Sequence, residues 1–340
     1  MYQVKELKYL VGETLVAGLN NLGDACGTGD ALGAPVGLIW YANGLVKQMA
    51  NASFTAINDA NFVVGMESPG GIVGAETEQL TYTTLGLMID ATNAIEFKSP
   101  AASQATCLSE PSVTYPQGLA LGYQMNLGTA NNPNPVPTVT TLRWIPGHPP
   151  ALLKLPAGFT SFVPRCINVE GDFVGFAGGP QVPATFYLCR SGNWIRLFAS
   201  IQVWDMNKAL RSVGTIITGS AGNPDYVPAY WDGLMPGTQI PPTLVPLPPG
   251  GFWGGQANGI NDANTIVGTC YPSNPNYDRS TGALNPDNVA FVNTAAGSVD
   301  LNTQIHAPGW KLQSAVKINN KGQIVGLGIH NGVSTSFLLE

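Results

Sequence analysis

The sequence predicts an all-β fold, a single β-propeller of seven four-stranded blades, and three observations predict it. A nine-residue phrase recurs along the chain, an aromatic strand follows most copies, and the composition suits short strands joined by turns. "INDANFVVG" opens at residue 57, "INDANTIVG" at 260 and "INNKGQIVG" at 318. Looser copies read "LNNLGDACG" at 19, "INVEGDFVG" at 167 and "MNKALRSVG" at 206. A degenerate seventh opens at Leu108 and carries a six-residue insertion before Gly122. Self-similarity of this kind marks an architecture of stacked or radially arranged units. Gly (41) and Pro (27) make up a fifth of the 340 residues and are spread along the chain. Only 11% of residues are charged, where a typical soluble domain has about 25%, so long solvated helices are disfavoured.

Each unit reads as four strands. The first precedes the repeated phrase and holds small residues at alternate places, as in "QANGIN" and "SAVKIN", which suits the narrow end of a wedge. A turn follows, with Asn in second position in six copies. Its fifth position is Gly23, Asn61, Gly171, Leu210, Asn264 or Gly322. Gly and Asn there fit a type I turn followed by a left-handed residue, whereas Leu210 predicts a looser or differently built turn. The Asn and Asp side chains of these turns are expected to satisfy turn backbone rather than to bind a ligand. The second strand is "FVVG" or "QIVG". After a variable loop comes the aromatic strand: "GLIWY" (37–41), "TLRWI" (141–145), "ATFYL" (184–188), "PAYWD" (228–232), "VAFVN" (289–293) and "TSFLL" (335–339), with the second unit offering only "TTLGLMID". One more strand completes each unit.

The last copy stops at its third strand, and "YQVKELKYL" at the N-terminus alternates apolar and polar residues. That segment can supply the missing strand and close the ring, which removes an edge open to other chains. The expected blades are 11–50, 51–100, 101–156, 157–198, 199–248, 249–305, and 306–340 with 1–10, all in one domain.

The units resemble the HAF-repeat family, whose motif runs from small residues through G-I-N-D/N-x-G-x-V-V-G to an H-A-F-L-W-like strand. "GIND" at 259, "IVG" ending at 268 and "INNKGQIVG" at 318 carry the resemblance, which extends over essentially the whole chain. The aromatic of the last strand is kept, as in "VAFV" and "TSFL", but its His is not. The resemblance implies the propeller fold and an extracellular setting, with little chemistry.

Net charge is −6 with no basic run, which argues against a nucleic-acid partner. No apolar stretch reaches the ~20 residues of a membrane span. The start "MYQVKELKYL" lacks a secretory leader, so a cytoplasmic protein is expected unless a leader has been removed. Cys26, Cys107, Cys166, Cys189 and Cys270 include no CxxC pair, so neither a disulfide framework nor a zinc site is predicted, and no cofactor is implied. "NPNYDRSTGALN" fails as a calcium loop, having Arg279 where Gly is needed and Asn285 where Glu is needed. P-loop, G-x-S-x-G and HExxH motifs are absent from the sequence.

Function is expected on the face away from the repeated turns, where loops stop repeating: "MESPGGIVGAETEQ" at 66, "YQMNLGTANNPNPVP" at 123, "CYPSNPNYDRSTGALNPDN" at 270, and the blade-joining "LPPGGFWGGQ" at 247 and "NTQIHAPGWKLQ" at 302. Candidate ligand contacts there are Trp253, Trp310, Tyr271, Tyr123, Asp278, Arg279 and Glu67. His306 and His330 are candidate acid/base groups, with Asp278, Glu67 and Lys311 as partners. A second set lies in the first strands, where Arg165, Trp204, Asp205 and Lys317 replace small residues. Asp205 and Lys317 share a column and can pair across the channel mouth, as a structural plug or as catalytic groups, because a lone charge at a crowded strand is costly. Three functions follow: a monomeric binding module for a small molecule, glycan or peptide; an enzyme (lyase, isomerase, cyclase or hydrolase) using His306 or His330; or a structural protein.

Overall fold

A computed structural model describes residues 1–9, 13–31, 33–67, 85–90, 95–101, 103–126, 138–146, 148, 150–180, 182–220, 223–234, 237–273 and 285–340. The fold is an all-β β-propeller. In chain order, the first strand of each sheet is Thr14–Leu19, Ala52–Ile57, Ser103–Leu108, Ser161–Ile167, Ser200–Met206, Phe252–Ile260 and Trp310–Ile318. Each of these pairs antiparallel with the strand that follows it, and the pairing continues outward through the unit. The seventh sheet takes its outermost strand from the other end of the chain, Val4–Leu7 pairing antiparallel with Val333–Leu339. A count of propeller blades gives six, where the repeats predict seven. Among the described residues, strand pairing gives seven sheets.

Packing follows the same order. Seven apolar clusters lie one at each junction between consecutive sheets, from Cys26, Ile39, Phe54 and Val63 between the first and second to Leu7, Val16, Leu38 and Leu338 between the seventh and first. The aromatic strands supply the largest buried side chains, among them Trp144, Trp231, Phe291 and Phe337. The fourth and fifth units are also laced together, because Gln239–Ile240 returns to pair parallel with Asn193–Leu197. Among the described residues no helix is long and apolar enough to cross a membrane.

The repeated turn explains its Asn. In "INDANTIVG" the Asn261 Oδ1 accepts from the N–H groups of Ala263 (3.1 Å) and Thr265 (2.9 Å), which fixes the turn. Its Nδ2 donates to the backbone oxygen of Asn319 in the next sheet, 3.2 Å away. Asn319 donates likewise to Asn20 O, Asn20 to Asn58 O, and Asn58 to Ser109 O, while Asn207 donates to Asn261 O. A side-chain amide carries both the acceptor for its own turn and, on a separate atom, the donor for its neighbour. The expectation that these side chains serve turn backbone therefore covers half of what they do. Asn168 breaks the run: its Oδ1 holds its turn, but among the described residues its buried Nδ2 has no partner.

Leu210 corrects another expectation. Its turn is built as the others are, with Leu210 itself at φ +62° and the Asn207 N–H to Arg211 O hydrogen bond in place. A left-handed leucine costs roughly 1–2 kcal/mol. Burial of its side chain in the cluster around Trp231 and Leu188 offsets that.

Each first strand also carries a β-bulge at one position. Register skips Ala17, Thr55, Thr106, Arg165, Trp204, Asn258 and Val316, always two residues before the Ile of the repeated phrase or its equivalent. A bulge leaves one residue unpaired and bends its strand. The glycine closing "IVG" answers it. A Cβ at Gly268 would run into the carbonyl oxygen of Gln256 and sit 2.6 Å from the Phe291 ring. Small residues at the next position have a comparable cause: a Cβ at Gly18 would lie 2.8 Å from Cys26 Sγ and 3.1 Å from Ala56 Cα.

Candidate functional site

The first strands surround a channel that Asp205 and Lys317 divide. Lys317 Nζ lies 2.8 Å from Asp205 Oδ1, and Asp205 Oδ2 accepts from the Ile260 N–H at 3.1 Å. The carboxylate thus ties the fifth sheet to the sixth while the ammonium reaches it from the seventh. On the side of the repeated turns lies a cavity of about 160 Å³, rimmed by Asn21, Glu110, Lys208, Asp262 and Asn320. On the opposite side lies one of about 440 Å³. Ala56, Leu108, Ile167, Asp205 and Lys317 border both.

All seven bulge residues line the larger cavity. Three of the short ones are tied to structure. Thr55 Oγ1 donates to Ala105 O, Thr106 Oγ1 to Pro164 O and Asn258 Nδ2 to Ala315 O, each bond reaching the next sheet. Ala17 and Val316 have no polar side-chain atom. Arg165 and Trp204 differ in size and in connection. The Arg165 guanidinium carbon stands 5.8 Å from the centroid of the Trp204 ring, within the range of a cation–π contact. Arg165 is exposed, and among the described residues no carboxylate pairs with it. Trp204 Nε1 is buried and, among the described residues, has no hydrogen-bond partner. Tyr123 and Gln104 complete the polar wall, Tyr123 Oη donating to Gln104 Oε1 at 3.1 Å; burial pushes the phenol pKa up. Cys107 and Cys166 also line the cavity, but burial raises the Cys107 thiol to about 12 and Cys166 well above the ordinary value, so neither is a ready nucleophile.

Of the residues singled out in the sequence, then, Arg165, Trp204, Asp205, Lys317 and Tyr123 come together. Others lie elsewhere. Trp253 stacks on buried Tyr271 (5.2 Å, 29°) and meets Tyr226 edge-on, and none of the three lines either channel cavity. Trp310 stacks on His330 at 4.6 Å and 7°, and packs against the core of the seventh sheet. His330 Nδ1 is 3.0 Å from Glu6 Oε2, so it ties Ile324–His330 to the N-terminal strand, with Lys8 on the same carboxylate oxygen. His306 is exposed, and neither histidine borders the channel cavities. Lys311 pairs with Asp287 at 3.7 Å. Glu67 ends the second strand of its sheet, opposite Ala52. Asp278 and Arg279 lie outside the described residues, as do large parts of the loops at 66, 123 and 270. The bulges were the missed element, and their signal was present: the outsized residues Arg165 and Trp204 stand at one shared offset from the repeated phrase.

Glu110 belongs to the turn-bearing side. Its Oε2 accepts from the Asp59 N–H at 2.8 Å, just as Asp59 accepts from Asn21 and Asp262 from Lys208. Burial pushes its pKa to about 7; the hydrogen bond from Asp59 opposes the rise, and the charges of Asp59 and Asp262 add to it.

No protein-family model matches the chain, so the HAF-repeat resemblance has no family match behind it. No curated protein matches either. Among solved structures, the chain is similar to streptogramin B lyase (TM-score 0.49, 9% identity, 100% of this chain and 97% of that one). It is also similar to the β-propeller domain of the trilobed protease from Pyrococcus furiosus (0.41, 10%, 86% and 97%). A third likeness is to the acylaminoacyl peptidase of Pyrococcus horikoshii (0.42, 9%, 94% and 58%).

Proposed function

We propose that this chain is a seven-bladed β-propeller acting as a monomeric binding module, and that its ligand is a small molecule held in the larger channel cavity. The seven-bladed reading is supported by the seven sheets, by an apolar cluster at the junction of the seventh with the first, and by the pairing of Val4–Leu7 in the last sheet. Each repeat unit is then one blade of a single domain.

The observation that carries the binding reading is a cavity of about 440 Å³ into which two neighbouring sheets present Arg165 and Trp204, side chains that among the described residues make no hydrogen bond to the frame. Small-molecule sites run to about 300–1,000 Å³, apolar for the most part with a few polar groups. The enzyme reading has one observation in its favour, the hydrogen bond between His330 and Glu6, but that pair lies outside the cavity wall and is capped by Trp310. A binding role follows from the cavity without it.

The test is a thermal-shift and native mass-spectrometry screen against a small-molecule library, run on wild type and on Ala17→Trp, whose indole would take up part of the cavity. Hits that stabilise wild type and leave Ala17→Trp unmoved support the reading. Hits that bind both proteins equally, or a library without hits, overturn it.

A further inference from the structure

We infer that Arg165 and Trp204 form a subsite for a carboxylate group whose apolar, planar body continues along the Trp204 face. The inference rests on the binding function proposed above and names the chemistry of its ligand.

Three lines of geometry converge on it. The first is that these two residues leave the pattern of the bulge positions. Thr55, Thr106 and Asn258 use the same place to bind the next sheet, and Ala17 and Val316 merely fill it. A guanidinium and an indole at that place make no such bond among the described residues and instead face each other across the junction, 5.8 Å from guanidinium carbon to ring centroid.

The second is charge. Among the described residues, the charged side chains of the cavity wall are Arg165, Asp205 and Lys317. Asp205 and Lys317 neutralise each other at 2.8 Å. What remains is one positive charge, on a chain whose net charge is −6. That leaves Arg165 to attract a single anionic group, and its planar fork matches a carboxylate in a bidentate arrangement.

The third is shape. Arg165 and Trp204 also border an adjoining cavity of about 220 Å³ between the fourth and fifth sheets, walled by Phe176, Phe186, Ile201 and Val203. Phe176 is 42% exposed and meets the buried Phe186 edge-on at 5.5 Å. Polar recognition and an apolar slot thus meet at the same two side chains. A ligand that bridges them carries its charge at one end and a ring or short hydrocarbon at the other.

The probe pair is 2-naphthylacetate and 2-naphthylacetamide, which differ in charge and hardly in shape, titrated calorimetrically into the full chain. Wild type is expected to bind the acid at least tenfold more tightly than the amide. Arg165→Gln brings the acid down to the level of the amide and leaves the amide unchanged, and Arg165→Lys restores part of the preference. Trp204→Leu weakens both probes by a similar factor. Circular dichroism and melting temperature show that each variant is folded, so a lost preference is not a lost fold. Equal binding of acid and amide to wild type overturns the subsite, as does a preference that survives Arg165→Gln. If neither probe binds while neutral library compounds do, the carboxylate assignment fails and the cavity's binding role stands. If nothing binds the cavity, the broader reading fails with it.

Discussion

The two ends of the channel are built on opposite rules. At the turn-bearing end, sequence repetition and hydrogen bonding coincide: Asn207, Asn261, Asn319, Asn20 and Asn58 each hold their own turn and reach the next. At the other end the shared bulge position holds Ala, Thr, Asn, Val, Arg or Trp, and among the described residues its two largest occupants make no hydrogen bond to the frame. The difference teaches where constraint lies. Side chains that must both close a turn and reach the next sheet are held to one chemistry, and positions that face open space are released from it. Asn168, in the fourth sheet, marks the place where the first rule lapses, and Arg165 beside it is where the second is most fully used.

Breaking the hydrogen-bonded end should have the largest effect. Asn261→Ala removes two acceptor bonds within its turn and one donor bond to the next sheet, for a loss of about 3 kcal/mol, and Asn168→Ala, which lacks the inter-sheet bond, should lose about 2. Urea unfolding of the two variants measures the difference, and equal losses would mean that the inter-sheet bonds contribute nothing.

Glu110 sharpens the comparison through pH. Its carboxyl holds a proton to about pH 7 in the folded chain, while an unfolded glutamate releases it near its ordinary value of 4.5. Between those values the folded state binds more protons, so stability is full below about pH 4.5 and falls as pH rises through about 7, by about 3 kcal/mol. Glu110→Gln keeps an acceptor for the Asp59 N–H and should flatten unfolding curves taken across that window.

A smaller effect is expected at Leu210. Leu210→Gly relieves the left-handed backbone but removes a buried side chain, for a net loss of about 1 to 2 kcal/mol. Asn61→Gly, at the equivalent place with φ +60°, should stay within about 0.5 kcal/mol. If Leu210→Gly proved neutral or stabilising, packing could not be what holds that turn. At the open end, Arg165→Gln should change stability least, by less than about 0.5 kcal/mol in the same urea titration.

The fold was largely legible because its signals are local. A left-handed turn needs Gly or Asn, a crowded inner strand needs small residues, and an apolar junction needs aromatics, so each leaves its mark at a fixed offset. The second function of the repeated Asn was hidden, since sequence spacing shows the turn it closes and not the neighbour it reaches. The Leu210 turn misled for a related reason: intrinsic preference was visible, and the cluster around Trp231 that overrides it was not. Among candidate site residues, Asp205, Lys317, Arg165 and Trp204 were found by breaking a pattern on a strand whose place in the ring was known. His330, Trp310 and Trp253 were chosen by face alone. A loop's face follows from strand order, but its distance from the axis does not, and these three turned out to be engaged with Glu6, with each other or with Tyr271.

The bulge in each first strand changes the grammar in which the channel is written. An unbroken strand would show the interior every second residue and commit the intervening one to a sheet face. Here the wall receives two consecutive residues from one strand, Arg165 with Cys166 and Trp204 with Asp205. Grafting a dipeptide from one sheet into another would therefore alter the lining while leaving every ladder intact, and the channel can be respecified one word at a time.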